Sequence, residues 1–116
     1  MKFIQHNVNG ISIAELIVHA PPIGSTQEFL QMMMDSSAEA VIVRKESIQE
    51  LFFDLKSGIA GEMLQKVVNY RLRLAIVGDF SIYDSKSLKA FIYESNKSNT
   101  IVFVSTIEDA LKRLSS

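Results

Sequence analysis

Ser57-Gly58-Ile59-Ala60-Gly61 places a serine and two glycines at the opening of a predicted helix, a setting whose free amides can hold an anion. The segment lacks both the Gly-x-Gly-x-x-Gly dinucleotide pattern and the Gly-x-x-x-x-Gly-Lys-Ser/Thr phosphate loop. A close joint between helix and sheet therefore accounts for Gly58 and Gly61 better than a nucleotide does. Glu62, Lys66, Asn69 and Tyr70 follow at three- and four-residue steps and share one helix stripe. Glu62 precedes Lys66 in the favourable order for an i,i+4 ion pair, worth about 0.3–0.5 kcal/mol when exposed. Such a stripe is either a solvated face or a docking surface, and Ser57, Gly58 and Gly61 lie at its start.

A second set of candidates sits at the predicted carboxyl ends of parallel strands, where open α/β sheets gather their ligands. Arg44 and Lys45, Gly78-Asp79-Phe80 and Ser105-Thr106 occupy those ends. Their plainer roles are a turn for Asp79 and a helix cap for Ser105 or Thr106. The imidazoles of His6 and His19 stand in no His-x-x-x-His or His-Glu-x-x-His spacing, and there is no cysteine, so no metal site is expected. Both histidines read as half-exposed strand residues, and two N-terminal histidines support no Ser-His-Asp constellation. Met32-Met33-Met34 is a polarizable cluster. Helical spacing turns Met33 and Met34 inward and leaves Met32 off that face.

The elements that must position these residues belong to one domain. A chain of 116 residues exposes roughly 6,300 Å² when folded against about 19,000 Å² extended, enough burial for a single core. Twelve basic residues against 13 acidic ones give a net charge of −1 with both signs interspersed, which argues against a nucleic-acid partner. The Tyr70-Arg71-Leu72-Arg73 cluster reads as a solvated helix end. No apolar run approaches the ~20 residues needed to cross a bilayer, and the N-terminus lacks a signal or transit pattern. With no cysteine, the composition suits a reducing cytoplasm. No cofactor is implied.

Asn9-Gly10 is the strongest turn signal, because both residues accept the positive φ of a type I′ hairpin. It pairs Val8 with Ile11, His6 with Ile13 and Ile4 with Glu15, and the second strand runs on through Leu16-Ile17-Val18 until Pro21-Pro22. Ser25-Thr26-Gln27-Glu28 is a capping box opening a helix, and Ala40–Val43 a buried strand. Ser47-Ile48-Gln49-Glu50 repeats the box, predicting a helix with Ile48, Leu51, Phe52 and Leu55 on its face, then a second helix from about Gly58. Leu72–Val77 and Ile101–Val104 read as strands, with helices capped by Asp84 or Ser85 and by Thr106. The order β-β-α-β-α-α-β-α-β-α implies an α/β fold: one mixed, mostly parallel sheet of about five strands, with an antiparallel hairpin strand at one edge and helices packed on it.

Phe52 to Phe80, with Phe91-Ile92-Tyr93-Glu94-Ser95-Asn96 beyond it, resembles the signature of a small bacterial domain family of unknown function. The leading hairpin, the Ser-Gly-x-x-Gly helix opening and the final Thr-x-x-x-Ala-Leu helix are also similar to STAS-type domains, the modules known as anti-sigma-factor antagonists. In the STAS pattern an Asp-Ser pair precedes Ser/Thr-Gly; here Leu55 and Lys56 occupy those places and only Ser57 remains. A chain full of fold signals and empty of catalytic constellations points to a non-catalytic, regulatory protein-interaction module, STAS-like in architecture, that binds a protein partner or itself through the Glu62–Tyr70 helix and its neighbouring loops. The alternative is a small-molecule or nucleotide-binding domain, or a weak enzyme, that uses a strand-end crevice containing Asp79, Ser105 and the Ser57-Gly58 turn.

Overall fold

Two adjacent residues of positive φ, Asn9 at 54° and Gly10 at 79°, turn the chain back on itself between β1 (Phe3–Val8) and β2 (Ile11–Leu16). Their pairing is antiparallel from Val8↔Ile11 through His6↔Ile13 to Phe3↔Leu16, the register that the Asn-Gly turn predicts. The structure is a computed structural model and describes residues 1–116. β2 ends at Leu16, two residues short of the expected run; Ile17 N–H still donates to Lys2 O, but Ile17 and Val18 are exposed.

β3 (Ala40–Arg44), β4 (Arg73–Val77) and β5 (Ile101–Val104) add in chain order, each parallel to the strand before it. The fold is thus α/β, with one mixed five-stranded sheet and four helices. Right-handed crossovers in an unbroken strand order must place their helices on the same face. α1 (Thr26–Asp35), α2 (Ile59–Asn69) and α3 (Lys86–Ser95) accordingly share a core with Leu16, Val41, Val43, Leu74, Ile76 and Phe103. The alternate residues Ile13, Ala40, Ile42, Ala75, Val77 and Val102 face the other way, where α4 (Ile107–Leu114) covers them with Ala110 and Leu114. α4 packs chiefly on β3, β4 and β5 and reaches β2 near the hairpin tip, where Ile13 is buried, leaving the rest of the β1–β2 part of that face open. The exposed surface, 6377 Å², agrees with the size-based expectation.

Ser25, Ser85 and Thr106 each accept the amide three residues on, capping α1, α3 and α4. The second capping box fails to form a helix. Residues 45–57 instead make three 3-10 turns, Lys45–Ser47, Glu50–Phe53 and Leu55–Ser57, with Ile48 extended between the first two. Ile48 forms a parallel bridge with Ile23, whose N–H donates to Ser47 O at 2.7 Å and whose carbonyl accepts Gln49 N–H at 2.9 Å. Hydrogen-bonding the strand-like segment after Pro21-Pro22 outweighs the local helical pattern. In α1 the inward residues are Phe29, Met32 and Met33, while Met34 is 44% exposed, so the buried face is rotated from the one the spacing suggested.

Candidate functional site

α2 begins at Gly58, whose φ of 79° a side chain would strain. The preceding turn is closed on itself. Ser57 Oγ lies 2.8 Å from Leu51 O and 2.7 Å from Asp54 O and accepts Ile59 N–H at 3.2 Å, while Gly58 N–H donates to Leu55 O. The hydroxyl and these two amides, which could have faced an anion, are occupied within the cap.

Along the helix, Glu62, Asn69 and Tyr70 are exposed and Lys66 is half-buried. Glu62 does not pair with Lys66 within 4 Å; its Oε2 accepts Thr26 Oγ1–H from α1 at 3.2 Å. Asn69 accepts from Gln65 at 2.9 Å, one turn earlier. Two clefts flank this ridge. On the α3 side, Gly61, Leu64, Val68, Phe91 and Ile101 line an open, mainly apolar groove of about 330 Å³ with Gln65 and Glu94 at its rim. Near the C-terminal end of α2, Tyr70 joins Met34, Glu39 and Leu72 around a second cleft of about 370 Å³. The α2 helix then ends in a doubly bonded turn: Leu72 N–H reaches Val67 O and Arg71 N–H reaches Val68 O, with Arg71 at a φ of 54° where glycine is usual. Arg73 is not part of a solvated helix end. Its guanidinium donates to Asn99 O, Leu114 O and Arg113 O, capping the last turn of α4.

The strand ends form a separate crevice of about 460 Å³, lined by Gly78, Asp79, Phe80, Phe103, Ser105 and Asp109 among others. Asp79 and Ser105 therefore meet as expected, but Ser57, Gly58 and Glu62 are not in this crevice. Asp79 is exposed and caps the turn Phe80–Ile82 by accepting Ser81 N–H at 3.0 Å and Ser81 Oγ–H at 2.6 Å, bonds that hold its carboxyl below its ordinary value. Beside it, Lys45 runs across Gly78 with its side chain only 12% exposed. Its Nζ donates to Tyr83 Oη at 3.2 Å and lies over the rings of Phe53 and Tyr83, and Tyr83 donates to Glu50 at 2.9 Å. Burial lowers the lysine's proton affinity, but the Tyr83 hydrogen bond and the nearby glutamates outweigh it and hold the group above its ordinary value. Burial and the Glu50 bond likewise push the Tyr83 phenol up.

A third constellation escaped sequence reasoning. Glu15, buried at the end of β2, accepts from Arg44 Nη2 at 2.8 Å and bonds His6 Nε2 at 2.9 Å, and Arg44 Nη1 donates to Leu16 O. Desolvation pushes the carboxyl up, but the His6 and Arg44 hydrogen bonds together carry it below its ordinary value. The three residues cross β1, β2 and β3 on the face that α4 leaves open. Half of this was readable: the hairpin register puts His6 diagonal to Glu15 on one face.

A family model described as Domain of unknown function (DUF4180) matches residues 8–114. The chain belongs to that family. No curated protein and no solved structure matches the chain. The DUF4180 match takes in β2 through α4, with the whole α2 ridge, the strand-end crevice, Glu15 and Arg44; His6 lies before it. No helix is long and apolar enough to cross a membrane.

Proposed function

We propose that this DUF4180 chain is a non-catalytic protein-interaction domain with a regulatory role, and that it docks an apolar helix or segment of a partner protein along α2. The observation that carries this reading is the groove beside Gly61. There Val68, 53% exposed, stands with Phe91 and Ile101 around a floor that no Cβ fills, and nothing beyond the helix's own adjoining backbone lies within 4 Å of where one would be. Apolar anchors entering such a groove and a rim of Gln65 and Glu94 to fix their direction make up the helix-in-groove mode of recognition. The resemblance of the sequence to STAS-type domains is in keeping with this reading. Gly61→Leu fills the groove, and Val68→Asp charges it. Partners captured from extracts of the source organism by the intact chain should be lost with both variants while their circular dichroism is unchanged. An unchanged partner set and oligomeric state would overturn the proposal.

The strand-end crevice supports a second reading, a small-ligand site. With Asp79 and Asp109 on its walls and Lys45 turned toward Tyr83, it suits a polar or cationic molecule better than a nucleotide phosphate. A rise in Tm with a small cationic ligand such as spermidine that Asp79→Asn leaves intact would remove the crevice from consideration.

A further inference from the structure

The two edges of the sheet are finished differently. At β5, Asn96 lays its side chain along the outer edge, with Nδ2 donating to Phe103 O at 3.0 Å and Oδ1 accepting Phe103 N–H at 2.7 Å; Ser95 Oγ donates to Ile101 O at 2.5 Å. These bonds occupy the groups that another strand would need. β1 has no such cover. In a two-residue hairpin Val8, His6 and Ile4 exchange bonds with β2, and Ile17 N–H to Lys2 O continues the series. The N–H and C=O groups of Phe3, Gln5 and Asn7 therefore point away from the sheet, and no loop or side chain bonds them.

The neighbourhood of this edge fits one kind of partner. Phe3–Val8 contains no Asp, Glu, Lys or Arg, so a second identical strand meets no repulsion and a charged strand finds nothing to pair with. Ile4 and Ile17, 46% and 44% exposed, lie on one face at this end of the hairpin, and Met1 and Val18, 42% and 60% exposed, lie at the same end on the other. Ile4 lies on the α4 side of the sheet, on the part of β1–β2 that the helix leaves open.

We infer that β1 is a two-fold interface through which a second copy of this chain adds its own β1 antiparallel, joining two five-stranded sheets into one of ten strands. Ile4 of each copy stands opposite the other at the axis, in a non-hydrogen-bonded pair whose Cα atoms are about 4.5 Å apart. Phe3 and Gln5 flank it, each exchanging both backbone bonds with the other residue type in the second copy. This surface is separate from the α2 groove and stands or falls independently of it.

The chain has no cysteine, so Ile4→Cys reports the axis directly. Under mild oxidation it should form a disulfide-linked dimer roughly ten times faster than Tyr93→Cys, an exposed control on α3, because a disulfide needs Cα atoms about 4.4–6.8 Å apart. Gln5→Pro removes an outward N–H that β2 does not use, and edge strands accept proline at such positions. Light scattering should give twice 13.0 kDa for the native chain and 13.0 kDa for Gln5→Pro, with the same circular dichroism. A native chain that stays monomeric at every soluble concentration, a dimer that survives Gln5→Pro, or cross-linking no faster than the control would overturn the inference. The Ile4→Cys readout stands even if Gln5→Pro fails to fold.

Discussion

Removing Arg44 should cost much more stability than removing the carboxylate it binds. Glu15 is the buried member of the network, its side chain 8% exposed against 25% for His6 and 29% for Arg44. Arg44→Met strands a carboxylate with only an imidazole beside it, and breaking a buried pair in this way costs about 3 kcal/mol. Glu15→Leu removes the buried charge, and the half-exposed Arg44 and His6 turn toward water, so the loss stays under about 1 kcal/mol. The pH dependence follows from the same geometry. Glu15 holds its proton less tightly in the folded chain than at the ordinary value of 4.5, so the unfolded chain takes the proton first as pH falls. Its stabilising contribution is therefore present above 4.5 and disappears as pH drops through the lower folded value. In Arg44→Met burial acts with less opposition, the carboxyl protonates more readily, and the penalty shrinks toward about pH 4. Urea denaturation near pH 7 and near pH 4, at one protein concentration and low salt, measures all three proteins. Equal losses for the two variants near pH 7, or an Arg44→Met penalty that does not shrink in acid, would refute the reasoning.

Two glycines should respond to alanine with opposite signs. A Cβ on Gly78 would lie 2.5 Å from Lys45 Cδ and 2.7 Å from its Cγ, and displacing that packed side chain should cost about 1–3 kcal/mol. Gly61 is helical with open space around it, so Gly61→Ala should stabilise by about 0.5–1 kcal/mol; thermal unfolding of the pair checks both. Asn96→Ala should lose about 1–2 kcal/mol with its two bonds to Phe103 and, by uncovering β5, should make light scattering rise with concentration.

The features legible in the sequence are those decided by neighbours in the chain. Asn9-Gly10 specifies a turn and therefore a register, and Ser25, Ser85 and Thr106 each cap a helix through the amide three residues on. Ser47-Ile48-Gln49-Glu50 offers the same local pattern, but its fate depends on Ile23, 25 residues earlier, which no periodicity reports. The candidate sites divide in the same way. The α2 stripe is a local feature and forms as spaced, although Glu62 turns to Thr26 on α1 rather than to Lys66. Arg44 joins Glu15 only because β3 lies parallel beside β2, and that register is set by packing on both faces of the sheet.

The strand order of the sheet is the order of the chain, which bears on how the molecule assembles. Each strand docks on one already made, so the fold can grow outward from the hairpin without threading a later segment between earlier ones, the kind of topology that keeps loop-closure costs small. The exception is the face covered by α4. Ile13, Ile42, Ala75 and Val102 belong to four different strands, yet all wait for Ala110 and Leu114, the last-made part of the fold. During synthesis that apolar face stays open until the final helix emerges, and it is then that a growing chain is most exposed to aggregation.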